Sequence, residues 1–290
     1  MTIPSVQSLL RKHGISPKKG LGQHFLHARP TMEKIVASLD ARGNDTVVEI
    51  GPGLGIMTGM VAARARHVFA VEKDAAMIDA ARSEFGSIEN ITWLQEDILE
   101  IPLCAIIEKL APPVSGERIK IIGNLPYNIS SPILFCMIER REIISRAVVM
   151  LQREVADRIV ARPGGKNYGI LSVLLQSFAD CKKLFDVSAK SFVPPPEVVS
   201  SVLRLDFKTK ATGIQDEGWF RRVVKGAFGR RRKTLRNAML GARLPGVTAE
   251  TLDGALARLS IEPSRRPETL SPEEFALLSA ALRQTSGQKG

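Results

Sequence analysis

The sequence predicts an α/β fold followed by a smaller, all-helical domain. From residue 46 to about residue 160, short apolar runs typical of buried strands alternate with amphipathic helical patterns. This alternation is typical of βαβ units built around a parallel sheet. After residue 208 the strand-like runs end and only helical patterns continue. A chain of 290 residues, 44% of them hydrophobic, is long enough to bury the core of one large or two moderate domains.

The elements of the first domain follow one another in a regular order. An amphipathic segment at 6–12 precedes a glycine-rich basic stretch that contains Lys18 and Lys19, and we expect a helix to begin near Pro30. Strands are predicted at 47–50, 68–71, 91–94, 119–122 and 147–151, because each is a short apolar run. Helices are predicted after the first, second and fifth of these strands, ending near residues 64, 85 and 161. A basic, glycine-containing loop at 162–166 is expected to be flexible.

Two further strands, at 183–187 and 202–207, flank a Phe-Val-Pro-Pro-Pro segment at 192–196. We expect antiparallel edge strands joined by this stiff polyproline segment. Helices are predicted at 219–228, 234–240, 249–259 and 272–282. The change of pattern near 208–216 therefore divides the chain into a domain over 1–210 and a helical domain over 211–290.

The chain carries a formal net charge of +11, from 41 Lys and Arg residues against 30 Asp and Glu. This imbalance predicts attraction to a polyanion, and nucleic acid is the leading candidate. Positive charge that only keeps the surface soluble, and an anionic membrane surface, are the alternatives. No segment approaches the roughly 20 apolar residues of a membrane span, and residues 1–11 are too short and too weakly apolar for a signal peptide. We therefore expect a cytoplasmic protein.

Metal binding is not indicated by the sequence. The four histidines have no cysteine or carboxylate partner at the spacing of metal ligands. We therefore expect no metal site.

A glycine-rich turn follows the strand at 47–50. The sequence Glu-Ile-Gly-Pro-Gly-Leu-Gly at 49–55 places glycines where backbone N–H groups can face a ligand. Glu72 ends the next strand, where a carboxylate can accept hydrogen bonds from both hydroxyls of a ribose. Asp97 follows the third strand and is placed to accept from an adenine amine. These positions predict a cofactor that carries adenosine.

Two adenosine cofactors fit this description to different degrees. A dinucleotide site would have a third glycine where Ile56 stands, and Glu49 disfavours a pyrophosphate. S-adenosylmethionine carries a sulfonium, a ribose and an adenine but no phosphate. Acidic residues near three successive strand ends, Glu49, Glu72 and Asp97, fit it better. An NAD-dependent oxidoreductase is the less favoured alternative.

The sequence Asn-Leu-Pro-Tyr at 124–127 follows an apolar strand that ends at Gly123. Because Pro126 cannot continue a ladder, these residues lie in a strand-end loop, where open α/β sheets bind ligands. The side-chain oxygen of Asn124 and a backbone carbonyl beside Pro126 can accept both N–H groups of an adenine N6 amine. Tyr127 offers a face on which a base can stack. A simple turn is the alternative interpretation.

Several motifs in register resemble those of the ribosomal RNA adenine N6,N6-dimethyltransferase family, most closely its small-subunit branch. The motifs are Gly-Gln-His-Phe-Leu at 22–26, the glycine turn at 49–55, Glu72, Asp-Ile-Leu at 97–99, Asn-Leu-Pro-Tyr-Asn-Ile-Ser at 124–130 and Phe-Val-Pro-Pro-Pro-Glu-Val at 192–198. The resemblance covers about residues 18–240. One departure is His24, because the family often has Asn there.

The resemblance implies a Rossmann-like, seven-stranded methyltransferase sheet followed by a helical domain. It implies transfer of methyl groups from S-adenosylmethionine to two adjacent adenines in the 3′-terminal hairpin of 16S ribosomal RNA, within an immature small subunit. We expect the protein to act as a monomer. The cofactor contacts that we expect are His24, Leu26, Gly51, Gly53, Glu72, Asp97, Ile98 and Asn124.

A buried methyl group can be reached only by a base that has left its helix, and two flat apolar faces hold such a base best. We expect Tyr127 and Phe192 to be these faces, and they complete a catalytic set with Asn124 and Pro126. An ordinary core aromatic is the alternative for Phe192. Beside such a site, basic residues are expected to contact the RNA backbone. They are Lys18, Lys19, Arg221, Arg222, Lys225, Arg230, Arg231, Arg232, Lys233 and Arg236.

Two alternatives within or near this family stay open. One is a 23S ribosomal RNA adenine N6-methyltransferase of the antibiotic-resistance type. The other is a noncatalytic ribosome-assembly factor that keeps the fold. The intact Asn-Leu-Pro-Tyr sequence argues against the second.

Overall fold

The computed structural model describes residues 4–18, 23–98, 118–127, 129–210, 213–230 and 232–286. These residues form two compact units. The first comprises the described residues up to Ala156 together with Asp180–Lys208, and the second comprises Asp157–Ala179 together with the described residues after Lys208. The second unit therefore includes a segment that precedes the last two long strands in the sequence.

A seven-stranded sheet forms the centre of the first unit. Its strands are β2 (Thr46–Ile50), β3 (His67–Glu72), β4 (Ile91–Gln95), β5 (Ile119–Asn124), β6 (Ile144–Gln152), β7 (Ala179–Val187) and β9 (Ser200–Phe207). They lie in the order β4-β3-β2-β5-β6-β9-β7. The pairs from β4 through β6 are parallel, and β9 is antiparallel to β6. The seven-stranded sheet implied by the resemblance is confirmed.

Two short strands, β1 (Phe25–Leu26) and β8 (Phe192–Val193), form a separate antiparallel pair. The helices of the first unit are α1 (Val6–Lys12), α2 (Arg29–Leu39), α3 (Ile56–Ala62), α4 (Ala75–Phe85) and α5 (Ser130–Glu139), and α6 (Arg153–Ile159) spans its boundary. The second unit contains α7 (Ile170–Phe178), α8 (Glu217–Phe228), α9 (Leu235–Ala242), α10 (Ala249–Arg258) and α11 (Pro272–Ser286).

The central strands form because their residues are apolar on both faces. Val47, Val48, Ile121 and Ile122 are completely buried, as expected for strands of a parallel sheet that is covered on both sides. This continuous apolar pattern is why the predicted strands agree with the observed ones to within a few residues.

Three features of the fold differ from the prediction or were missed. Helices α5 and α7 were not predicted, because short segments that are apolar overall can form either a buried helix or a buried strand. The strand predicted at 202–207 is β9, which is antiparallel as expected but is not an edge strand, because it lies between β6 and β7. Its nearly continuous burial agrees with an interior position.

The helical unit has its own core and polar connections. The Asp216 carboxylate caps α8 by accepting from the Trp219 amide at 2.9 Å. The indole N–H of Trp219 donates to the Ser279 carbonyl at 2.9 Å, and the Tyr168 hydroxyl donates to the Leu270 carbonyl at 2.8 Å. These bonds join α8 to α11 and the 157–179 segment to the C-terminal part. Among the described residues, no helix combines the length and the apolarity needed to cross a bilayer.

Gly55 is a position where any side chain should destabilise the first unit. Its φ is +76°, and a Cβ atom would lie 2.7 Å from the Trp93 ring. Gly55→Ala is therefore expected to lower the free energy of unfolding by about 1–3 kcal/mol, through backbone strain and overpacking. Urea denaturation measures this change. Gly43→Ala is the control, because nothing lies within 4 Å of its Cβ position, and an equal effect of both substitutions would contradict the prediction.

Candidate active site at the ends of the parallel strands

A cavity of about 160 Å³ opens at the carboxyl ends of β2, β3 and β5. Parallel strands all end at the same edge of the sheet, and this edge is where open α/β sheets bind ligands. Most of the residues predicted as site residues in the first unit line it. They are His24, Leu26, Gly51, Gly53, Glu72, Asn124, Pro126 and Tyr127.

The glycine turn after β2 forms one wall of the cavity. Gly51, Gly53 and Gly55 have φ values of +69°, +55° and +76°, so the turn uses conformations that disfavour other residues. A Cβ atom on Gly53 would lie 3.2 Å from the Phe25 ring. The backbone of the glycine turn thus lies close to β1, and the amides of the turn lie at the ends of the strands.

The Glu72 carboxylate is held in one orientation by three backbone amides. Its Oε2 accepts from the Gly53 amide at 3.1 Å, and its Oε1 accepts from the Lys73 and Asp74 amides at 2.9 and 3.0 Å. Burial raises the pKa of Glu72 above its ordinary value, although these amides partly oppose the shift. A fixed carboxylate with lone pairs remaining is suited to accept hydrogen bonds from vicinal hydroxyl groups.

Glu49 is an unsatisfied buried carboxyl group at the base of the cavity. It has no exposed surface, and neither of its oxygens has a hydrogen-bonding partner among the described residues. Burial raises its pKa to about 7; the Thr58 hydroxyl, which is close but does not reach hydrogen-bonding geometry, reduces this shift, and the Glu72 charge increases it. Buried polar atoms without partners are rare in folded proteins, so Glu49 indicates a site for a polar or cationic group.

Asn124 at the end of β5 is oriented by the segment that leads into β1. Its Nδ2 donates to the His24 carbonyl at 3.2 Å. This bond leaves the Oδ1 atom of Asn124 as an acceptor beside the cavity. The adjoining turn is closed by the Pro126 carbonyl, which accepts from the Ile129 amide at 3.1 Å.

Two aromatic rings border the same opening. The Tyr127 and His24 rings have centroids 6.3 Å apart and planes 21° apart. The Tyr127 hydroxyl is hydrogen-bonded to the buried Ser200 hydroxyl at 2.8 Å, and burial raises the pKa of Tyr127. The Nδ1 atom of His24 lies 2.8 Å from the Pro194 carbonyl. Since a carbonyl only accepts, Nδ1 carries the proton. Both rings are thus held by hydrogen bonds outside the cavity.

Three of the predicted contacts do not line the cavity. The Asp97 carboxylate forms an ion pair with Lys73 at 2.5 Å, and Ile98 follows it in the chain. Phe192 is 2% exposed and packs in the hydrophobic core, where β8 pairs with β1. Its role as a face for a base stays a prediction.

The basic residues predicted for RNA have different surroundings. The Lys18 ammonium pairs with Asp74 at 2.9 Å, and the Gln23 amide donates to the same carboxylate at 2.9 Å. Arg236 makes two hydrogen bonds to Asp253. Arg222, Lys225 and Arg230 line a cleft in the helical unit, Arg232 and Lys233 are exposed, and Arg221 is partly buried. Lys19 and Arg231 lie outside the described residues.

Sequence reasoning missed two positions that hold the site together. Asp74 caps α4 and accepts from Lys18 and Gln23, while Ser200 holds Tyr127 from β9. The only available signals were the placement of Asp74 two residues after Glu72 and a serine at the start of a strand. Among the residues that the structure describes, no group of three potential metal ligands occurs.

Comparison with known proteins yields consistent matches over nearly the whole chain. A family model described as ribosomal RNA adenine dimethylase matches residues 15–278. The chain is similar to ribosomal RNA small subunit methyltransferase A of Geobacter metallireducens, with 44% identity over 96% of this chain and 100% of the relative. It is similar to the protein of the same name from Desulforapulum autotrophicum, with 41% identity over 100% and 99% of the two chains.

Solved structures support the fold. A dimethyladenosine transferase from Plasmodium falciparum has a TM-score of 0.76 and 24% identity, covering 90% of this chain and 98% of that one. The 23S rRNA methyltransferase ErmE has a TM-score of 0.67 and 24% identity, covering 90% and 100%. At this identity the likeness concerns the fold.

The raised pKa of Glu49 predicts a specific pH dependence of stability. The unfolded chain ionises this group near its ordinary value of 4.5, while the folded protein keeps it protonated up to about 7. The contribution of protonated Glu49 to the free energy of unfolding is therefore fully present below pH 4.5 and is lost as pH rises through this window. Glutamine at this position cannot ionise, so the Glu49→Gln variant does not lose this contribution. The free energy of unfolding of the variant minus that of the unaltered protein should therefore be about 3 kcal/mol larger at pH 8 than at pH 4.5.

Urea denaturation of the ligand-free protein at several pH values measures this difference. Glu89→Gln, at an exposed position, is the matched control and should show a flat difference. A flat difference for Glu49→Gln as well would contradict the assigned protonation state.

Proposed function

The chain belongs to the ribosomal RNA adenine dimethylase family, and from this membership we propose how its site selects and methylates its substrate. The protein is an S-adenosylmethionine-dependent ribosomal RNA adenine dimethyltransferase. We propose that its targets are two adjacent adenines in the 3′-terminal hairpin of 16S ribosomal RNA. The single observation that best supports methylation at adenine N6 is Asn124, which is held by the His24 carbonyl and lines the cavity.

The chemistry of the cavity fits the cofactor. The fixed Glu72 carboxylate is suited to the ribose hydroxyls, and the glycine turn offers backbone amides beside it. The unsatisfied Glu49 carboxyl suits a cationic group. We propose Gly51, Gly53, Leu26 and His24 as further contacts, and Asp97 and Ile98 as contacts of the adenine although they do not line the cavity. When bound, S-adenosylmethionine supplies an electrophilic methyl group on its sulfonium.

Asn124 positions the reacting amine. The N6 lone pair of adenine is delocalised into the ring, which makes the amine a poor nucleophile. The Oδ1 of Asn124 accepts one N–H of this amine, and a backbone carbonyl beside Pro126 accepts the other. These bonds favour a geometry in which the lone pair points out of the ring plane. No strong base is required, because the amine becomes acidic once alkylated and releases its proton to water.

Tyr127 holds the extruded base. Stacking on an aromatic ring contributes roughly 1–3 kcal/mol per base, and the bond to Ser200 keeps this ring in place. Phe192 remains our proposed second face, although its ring is covered in the ligand-free protein. A base between the two rings then requires a movement of the β1–β8 pair.

The RNA partner is best supported by charge and by similarity. The net charge of +11 favours a polyanion, and the curated relatives are named as small-subunit methyltransferases at 40–44% identity. The likeness to a 23S enzyme is weaker, at 24% identity, so we favour the small subunit.

We further propose that the protein acts as a monomer on an immature subunit in the cytoplasm. In this proposal residues 1–210 carry the cofactor site, and residues 211–290 bind RNA.

Mapping of modified nucleosides tests this function. Ribosomal RNA from cells that lack the protein should contain unmodified adenines at both hairpin positions, and restoring the protein should return two methyl groups to each. Loss of methylation in the large-subunit RNA instead would favour the 23S alternative. Unchanged methylation in both RNAs would favour a noncatalytic assembly factor.

Asn124→Ala should abolish most methyl transfer while keeping part of the cofactor affinity. Loss of the orienting acceptor is expected to lower the rate about 100-fold, measured as tritiated methyl incorporation into small subunits from cells lacking the protein. Isothermal titration with S-adenosylmethionine measures the affinity. Asn44→Ala, at an exposed loop position, is the control. Full activity of Asn124→Ala would contradict the role that we assign to this residue.

A further inference from the structure

A basic cleft of about 410 Å³ lies in the helical unit between α8 and α9. Its described lining residues all belong to this unit. They are Arg222, Lys225, Gly226, Gly229, Arg230, Ala238, Gly241, Ala242 and Leu244. The lining thus combines three cations with a floor of small residues.

Within the described part of the chain, no carboxylate neutralises the three cations of the cleft. None of the described residues that line the cleft is acidic, and none of those residues forms an ion pair with Arg222, Lys225 or Arg230. Arg236 differs, because it binds Asp253 through two hydrogen bonds of 2.6 and 2.8 Å. Three like charges around one space repel one another, and an anion between them removes that repulsion.

The floor of the cleft depends on glycine. A Cβ atom on Gly241 would lie 2.7 Å from the guanidinium carbon of Arg230 and 2.8 Å from two of its nitrogens. The missing side chain therefore lets the Arg230 guanidinium lie directly against the backbone of α9. A Cβ atom on Gly226 would lie 2.9 Å from the Ala242 Cβ, so a second glycine brings the two helices close together.

A contact with a buried tryptophan positions Arg222. Its guanidinium carbon lies 5.3 Å from the centre of the Trp219 ring, which is a cation–π contact. The Trp219 ring is itself fixed, since it is 5% exposed and its N–H donates to the Ser279 carbonyl. An arginine held in this way loses less side-chain entropy when it binds an anion.

We propose that this cleft binds a phosphate group of the ribosomal RNA backbone, with Arg222 and Arg230 as the hydrogen-bonding forks and Lys225 as a third charge. Guanidinium groups match the oxygens of a phosphate with parallel N–H donors. The small floor lets a phosphate and its sugar approach the helix backbones. Such a contact positions the enzyme on RNA without reading its sequence. The inference rests on the proposed function, in which ribosomal RNA is the substrate.

The cleft can be tested without changing any charge. Gly241→Ala adds a methyl group that displaces the Arg230 guanidinium, whereas Gly254→Ala, also within a helix, has nothing within 4 Å of its Cβ position. Both substitutions change helix propensity alike. Affinity for small subunits purified from cells lacking the protein should fall about 3- to 10-fold for Gly241→Ala. It should stay unchanged for Gly254→Ala.

A charge variant provides the second measurement. Arg230→Gln should reduce the slope of log affinity against log salt by about one, while Arg258→Gln, exposed on α10, should leave it largely unchanged. Because Arg230 is on the surface, this pair remains informative if Gly241→Ala fails to fold. Equal affinity of Gly241→Ala and Gly254→Ala, or equal salt slopes of the two arginine variants, would overturn the proposal.

Failure of the cleft and failure of the proposed function can be distinguished. The unaltered protein is assayed for methyl transfer to the same small subunits in parallel. Methylation by the unaltered protein together with equal binding of all variants overturns only the cleft. Binding of the same variants to anionic lipid vesicles is measured in parallel. If Gly241→Ala and Arg230→Gln weaken binding to these vesicles and not to the subunits, the partner is not RNA and the cleft proposal is overturned.

Discussion

The parallel pairing of β3, β2 and β5 is the constraint on which the site depends. This pairing brings the carboxyl ends of the three strands to one edge, with Ile50 of β2 opposite Val71 of β3 and Gly123 of β5. Glu72 and Asn124 come directly after these paired positions, and the glycine turn begins between them. Residues far apart in the sequence therefore share one cavity because backbone hydrogen bonds fix the register. A shift of register by one residue would turn these side chains to the other face of the sheet.

The electrostatics of the two units are opposite in kind. The cavity of the first unit contains buried carboxyl groups, and burial raises the pKa values of Glu49 and Glu72. The helical unit presents guanidinium and ammonium groups at its surface, and no acidic side chain is found among the described residues that line the α8–α9 cleft. A cationic cofactor suits the first arrangement, and a polyanionic substrate suits the second. One chain can thus bind two ligands of opposite charge, because each meets a different local field.

Asn124 and Tyr127 are each held by a hydrogen bond from another part of the first unit. The His24 carbonyl holds the Asn124 amide, and Ser200 holds the Tyr127 hydroxyl. His24 lies in the N-terminal segment and Ser200 begins β9. The two hydrogen bonds therefore link both of these segments to the loop after β5. A rigid acceptor and a fixed ring reduce the ordering that must occur when a base enters. His24 also places its ring near Tyr127.

The sequence by itself determined the class of the fold, the strand positions and the residues that end the strands at the cavity. Buried parallel strands are continuous apolar runs, and turns that need a positive φ require glycine, so both leave a local signal. The tertiary structure alone decided what those signals do not contain. It placed β9 inside the sheet, assigned Asp157–Ala179 to the helical unit and buried the Phe192 side chain of β8 in the hydrophobic core. It also separated basic residues with carboxylate partners from those lining a cleft. These outcomes depend on which distant segments pack together, and neighbouring residues along a chain do not encode that choice.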